Sequence, residues 1–233
     1  MENKIPDIEN SASAGSVAER TVERSLGRRR AAYADEVERL VAAAFVLIER
    51  SGDLEPRVGD IVREAGLSNQ AFYRHFPSKQ ALLVTVLDEG IRMLASYLAH
   101  RMQAAATPTD RVREWLRGLL EQALSPAGSR ATRPFALARL RLADAHPQEV
   151  AGSERQLTAL VREALRAAVA EGELPHAHPE GDAETLYHLA MGWVEARLAG
   201  ARRAERADAE RLVDFALAGL LRGAPLPAGA GGV

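Results

Sequence analysis

The segment SNQAFYRHFPSK, residues 68–79, carries hydroxyls, two amides, a phenol, a guanidinium, an imidazole and an ammonium, and it has no carboxylate. Glu64 is the last acid before it and Asp88 the first after it, in a chain that is 27% charged. These groups suit recognition better than bond breaking. Amides such as those of Asn69 and Gln70 pair with adenine in the major groove. Arg74, His75 and Lys79 offer charge or donors to phosphates, and Tyr73 offers its hydroxyl. A helix N-terminus normally welcomes Asp or Glu. Kept free of acids, its N–H groups remain available to an anion. The spacing of Phe72 and Phe76 sets both rings on one helical face, turned toward a core. The stretch reads as a surface built to lie against DNA.

Such a surface needs a scaffold, and the preceding residues supply one. In VGDIVREAGLSNQAFYRHF, residues 58–76, Val58, Ile61, Val62 and Ala65 give a short helix an apolar face. Gly66 stands where a left-handed conformation closes that helix. Leu67 packs back under the turn and Ser68 caps the next helix. Two short helices joined by a glycine turn form a helix-turn-helix, whose second helix enters the major groove. Ser78, after Pro77, is the expected cap of a long following helix.

The segment VGDIVREAGLSNQAFYRHFPSKQALL resembles the DNA-binding signature of the TetR family of transcriptional regulators, through Val58, Asp60, Ile61, Ala65, Gly66, Leu67, Ser68, Tyr73, His75, Phe76, Lys79 and Leu82. The resemblance runs over residues 33 to about 85. It implies an all-α fold in which the first three helices bind DNA and the rest bind a ligand and dimerise. Two hydroxyl residues common before the second helix are replaced by Pro56 and Arg57, and a common hydroxyl is replaced by Ala71. The expected DNA contacts are Arg57, Ser68, Asn69, Gln70, Ala71, Tyr73, Arg74, His75 and Lys79.

The rest of the chain is read from its periodicity. Val37, Leu40, Val41, Ala44, Phe45 and Ile48 mark a first helix; later stripes run through 83–98, 112–123, 157–169, 186–197 and 212–220. About nine helices and no sheet are expected. The expected organisation is a disordered tail over 1–27, a DNA-binding domain over 28–79, an effector-binding and dimerisation domain over 80–223 and a flexible tail over 224–233. Trp115, Phe135, Tyr187 and Met191 are expected to face an apolar ligand. Arg139 and Arg141 lie among leucines, where an arginine snorkels, forms a salt bridge or holds an anion. The effector is therefore expected to be small and hydrophobic, with an anionic group as one option. Small residues beside large apolar ones in the last two helices, with the resemblance, point to Ala190, Trp193, Phe215 and Gly219 as a homodimer interface.

Other features bound the function. The net charge of −2 excludes a polyanion-binding surface over the whole molecule, though not a local one. With no cysteine, disulfides and thiolate chemistry are excluded. No phosphate loop, dinucleotide fingerprint or convincing triad is present, so no enzyme and no cofactor are expected. MENKIPDIEN lacks the apolar core of a signal peptide, and a cytoplasmic protein is expected. GRRRAAY, residues 27–33, is either an arm for the minor groove or a solvated charge run. His176, His178, Glu180 and Asp182 are either metal ligands or a polar loop, the loop being the cheaper reading. His188 is expected to be packed or at a pocket edge. The competing reading of the whole chain is a helical interaction protein that no longer binds an operator.

Overall fold

The computed structural model describes residues 16–200 and 203–222, the side chains of 138–141 and 153 excepted. Among the described residues the chain forms nine helices and no strand. They are α1 (Val17–Ser51), α2 (Val58–Ala65), α3 (Asn69–His75), α4 (Lys79–Gln103), α5 (Pro108–Leu124), α6 (Pro126–Ala145), α7 (Pro147–Ala170), α8 (Pro179–Leu198) and α9 (Arg206–Arg222).

Most boundaries have a local cause. Ser16, Ser68, Ser78, Thr107 and Ser125 each accept the backbone N–H three residues on, opening α1, α3, α4, α5 and α6. Proline opens α5, α6, α7 and α8, at a position that needs no N–H donor.

One boundary differs from expectation. α1 begins at Val17 and not after a tail ending at residue 27. Ser16 and Glu19 close a reciprocal capping box there, the Ser16 N–H donating to Glu19 Oε2 at 2.6 Å. Ser125 both ends α5 and caps α6, so α6 starts at Pro126 and carries Pro134 in its interior. Residues 224–233, expected as a tail, lie outside the described residues.

The apolar faces meet in two cores. The first joins Leu40, Ala44 and Ile48 of α1, Ile61 and Val62 of α2, Phe72 of α3 and Leu82, Leu83 and Val86 of α4. Leu142 of α6 and Val150 of α7 complete it, so the α6–α7 corner joins this core through α1 and α4. The second core is built around α5, whose Trp115, Leu116, Leu119 and Leu120 are fully buried against α4, α7, α8 and α9. α4 belongs to both: its first turns lie in one core, and Leu98 and Met102 in the other. Gly118 allows α4 and α5 to approach closely, since a Cβ there would sit 2.3 Å from Leu98. Among the described residues, no helix is long and apolar enough to cross a membrane.

Candidate functional site

The turn between α2 and α3 is fixed by backbone chemistry. Gly66 takes φ 64° and donates to Arg63 O, while the Leu67 N–H reaches Val62 O at 2.8 Å. Arg39 of α1 spans the remaining carbonyls, its guanidinium donating to Ala65 O at 2.6 Å and Gly66 O at 3.2 Å. Phe72, fully buried, and Phe76, 6% exposed, anchor α3 from below. The opposite side of α3 is thereby presented outward.

On that outward side, Ser68, Asn69 and Gln70 are exposed, and Tyr73 is 60% exposed. Ser68 Oγ accepts the Ala71 N–H at 3.1 Å, so its oxygen serves the cap. Arg57, just before α2, is exposed and makes no side-chain cap. Two of the residues expected to touch DNA point the other way. Ala71 is only 6% exposed because its position falls on the same side of α3 as the buried Phe72. The His75 side chain is 4% exposed, with Nε2 2.5 Å from Glu36 of α1 and its ring edge-on to Tyr33 at 5.0 Å. His75 therefore fastens α3 to α1.

The two remaining cations are placed at the rim and are already partnered. Arg74 pairs with the same Glu36 and lies over the Tyr33 ring, 5.4 Å from its centroid. Lys79, at the start of α4, pairs with Glu55 from the α1–α2 connection. The acid-free segment thus draws its counter-charges from elsewhere, which spacing within the segment could not reveal. Hydrogen bonds from His75 and then Arg74 hold the Glu36 carboxyl below the usual carboxylate range. A depressed carboxyl stabilises the fold at neutral pH. That contribution is complete above the ordinary carboxylate value and is lost as pH falls through the lowered one.

The second feature is a cavity of about 410 Å³ between α1 and α4–α8. Phe45, Leu87, Ile91, Leu94, Leu157 and Val194 give it an apolar wall, and Phe135, Tyr187 and Met191 also line it. Phe45 and Phe135 stack across the junction of α1 and α6, 6.3 Å between centroids. Trp115, expected to face a ligand, is instead a core residue: it is 0% exposed and its indole N–H donates to Leu157 O at 3.1 Å. The polar lining includes Thr132, whose hydroxyl donates to Gln122 at 3.3 Å, and Glu121, which accepts from Arg206 at 3.2 Å. Glu154 is on the wall as well. The side chains of Arg139 and Arg141 lie outside the described residues.

On α8 and α9, Phe215 is 72% exposed, Gly219 is exposed, and Trp193 is half-buried beneath the Arg197 guanidinium at 4.7 Å. Ala190, expected on the same face, is 0% exposed and packs within the protomer. Its neighbour Gly192 is the small residue that faces out. His188 is exposed and stands edge-on to Tyr187, not packed. Of the residues expected in a loop, His176 and His178 precede α8, while Glu180 and Asp182 lie in its first turn; Asp182 accepts the His178 N–H at 2.7 Å, and Glu180 pairs with Arg162 at 2.7 Å. Among the described residues, no group of three or more His, Asp or Glu side chains is placed to hold a metal ion.

Comparison with known proteins agrees with this geometry. Residues 40–86 match the profile of bacterial regulatory proteins, tetR family. The chain is 32% identical over 80 residues to the HTH-type transcriptional regulator EthR of Mycobacterium tuberculosis, covering 34% of this chain and 37% of EthR. It is 35% identical over 78 residues to the HTH-type transcriptional regulator BetI of Rhizobium meliloti, covering 34% of this chain and 38% of BetI. The matches thus span little more than a third of these relatives. Solved structures extend the likeness of fold. A transcriptional regulator FadR from Bacillus subtilis in complex with stearoyl-CoA gives a TM-score of 0.60 at 15% identity, over 80% of this chain and 98% of that one. A putative TetR-family regulator from Rhodococcus sp. gives 0.64 at 20% identity, over 80% and 98%. Residues 40–86 thus carry the DNA-binding region of the tetR family of bacterial regulatory proteins, and the all-α fold around it is shared with the solved structures.

Proposed function

We propose that the protein is a dimeric repressor that releases its operator when a small apolar effector enters the α4–α8 cavity. One observation carries this reading. The cavity is walled at once by residues of the helix-turn-helix core, Phe45, Leu142 and Val150, and by residues of the distal core, Leu157 and Val194. α4 runs through the same wall and starts at Lys79, beside α3. A ligand there touches both cores and need favour the non-binding arrangement by only a few kcal/mol.

In this reading Asn69 and Gln70 read bases, while Tyr73, Arg57 and Ser68 meet phosphates. Arg74 and Lys79 exchange their carboxylate partners for phosphate oxygens. Dimerisation through α8 and α9, around Phe215, Gly219 and Trp193, sets two α3 helices one helical turn apart. The effector is apolar over most of its length. An anionic end, such as that of an acyl chain or aromatic acid, is assigned to Arg139 and Arg141. The stearoyl-CoA bound by the Bacillus FadR is a precedent of that chemistry.

The test is a mobility shift on DNA flanking the protein's own gene, repeated with each compound that raises its Tm. Retardation relieved by such a compound supports both halves. A bound compound that leaves DNA affinity unchanged removes the effector half; absence of retardation removes the operator half. An anionic effector is expected to act weakly on Arg139→Gln and Arg141→Gln, with operator affinity retained.

A further inference from the structure

Before Tyr33, the N-terminal half of α1 packs on no other element among the described residues. Residues 17–35 are exposed throughout, and the first buried residue of the helix is Leu40. The stretch nonetheless forms helix from a complete capping box at Ser16. Counted back from Tyr33 at about 1.5 Å per residue, it projects about 24 Å beyond the end of α3. Its charge is one-sided in sign: Arg20, Arg24, Arg28, Arg29 and Arg30 stand against Glu19 and Glu23, and Glu19 is held in the cap.

Resting on the DNA-binding reading above, we propose that this arm is a second DNA-binding element, in which Arg29 and Arg30 grip the phosphates beside the groove that α3 enters. The root of the arm fixes its place. Tyr33 meets the His75 ring at 5.0 Å and lies under Arg74, and Glu36 binds both, so the arm leaves α1 at the C-terminal end of α3. A recognition helix in the major groove is bounded by sugar-phosphate walls, and whatever continues past its end crosses one. Arg30 and Arg29 precede Tyr33 by three and four residues, one turn back on the face that meets α3. Arg24 and Arg28 share a different face. Arg28, Arg29 and Arg30 are exposed and make no ion pair among the described residues. The guanidinium matches phosphate bidentately, and an uncompensated row of them has no stabilising role inside the protomer. Val22 and Leu26, 57% and 49% exposed, make a second copy of the chain the competing occupant.

The experiment measures the binding of the full chain to a mixed-sequence duplex several helical turns long, by fluorescence anisotropy over a series of salt concentrations. Arg29→Gln with Arg30→Gln is expected to lower the slope of log K against log salt by about two for each protomer. Arg24→Gln with Arg28→Gln is expected to keep the wild-type slope. Equal slopes for all three proteins overturn the proposal, as does an equal loss in the Arg24/Arg28 variant. A change of sedimentation mass in the Arg29/Arg30 variant assigns the arm to self-association and also overturns it. Wild-type protein with no salt-dependent affinity at all removes the DNA-binding reading itself, and this inference with it.

Discussion

The helix-turn-helix and the cavity domain solve opposite problems. In the first, short helices bury nearly everything that can be buried, and the proposed function rests on what is left outside: Asn69, Gln70 and Tyr73. In the second, long helices pack around Trp115, and function is assigned to the space they leave unfilled between Phe45, Phe135 and Tyr187. A surface is specified by local rules of cap, turn and stripe. A void is specified by the mismatch of helices distant in sequence, and no local rule describes it.

The largest effect that separates core from cavity wall is expected at two aromatic positions. Trp115→Ala should cost about 3–5 kcal/mol in urea denaturation, because it opens a hole in a closed core and frees the Leu157 carbonyl. Phe135→Ala, beside space already present, should cost less and should enlarge the ligand site. Equal losses at the two positions break the distinction.

Phe215→Glu should act next most strongly, on assembly alone. The side chain is 72% exposed in the protomer, so a charge there leaves the fold intact. Aromatic anchors of an interface are typically worth about 2 kcal/mol or more. The expected result is a monomer in sedimentation, with unchanged far-ultraviolet helicity and weakened operator binding. A variant that stays dimeric at the wild-type concentration removes α9 from the interface.

The contrast between the regions also governs what was legible in the sequence. The bounds of α2, α3 and α4 follow from Gly66, Ser68 and Ser78, whose effects reach three or four residues. The inward turns of His75 and Ala71 were hidden, because the first depends on Glu36 and Tyr33 some forty residues earlier. Lys79 was equally opaque while Glu55 was unseen as its partner. α1 began early because a capping box outweighs a composition rich in serine and alanine. In the cavity domain the apolar stripes located the helices, but a stripe does not say which ring meets a neighbour and which meets a void. Trp115 sits on such a stripe and meets the core, while Phe135, on none of the stripes read, meets the void. Ala190 shows the same limit, since small size suits a dimer seam and a tight core equally.

Smaller effects sharpen the local side of the comparison. Gly66→Ala should destabilise the helix-turn-helix by about 1–2 kcal/mol, through a Cβ in the left-handed region. That Cβ would also stand 3.1 Å from Arg39 Nη2. Chemical denaturation reads the loss, and a wild-type midpoint contradicts the role given to the turn. Lys79→Ala should change stability little and lower the salt slope of DNA binding by about 0.9 per protomer. Glu55→Gln should act in the opposite sense on affinity, because it releases Lys79 for phosphate.

Selection from a random duplex pool tests most directly whether the outward face of α3 reads DNA. The full chain is expected to enrich two inverted half-sites about 10 base pairs apart, centre to centre. Asn69→Ala and Gln70→Ala should each enrich the same arrangement with one position per half-site relaxed, at a loss of about 1–3 kcal/mol on the wild-type site. Retention of all sequences alike by the wild type, or identical enriched sites for all three proteins, contradicts the assignment of α3 as the reading helix.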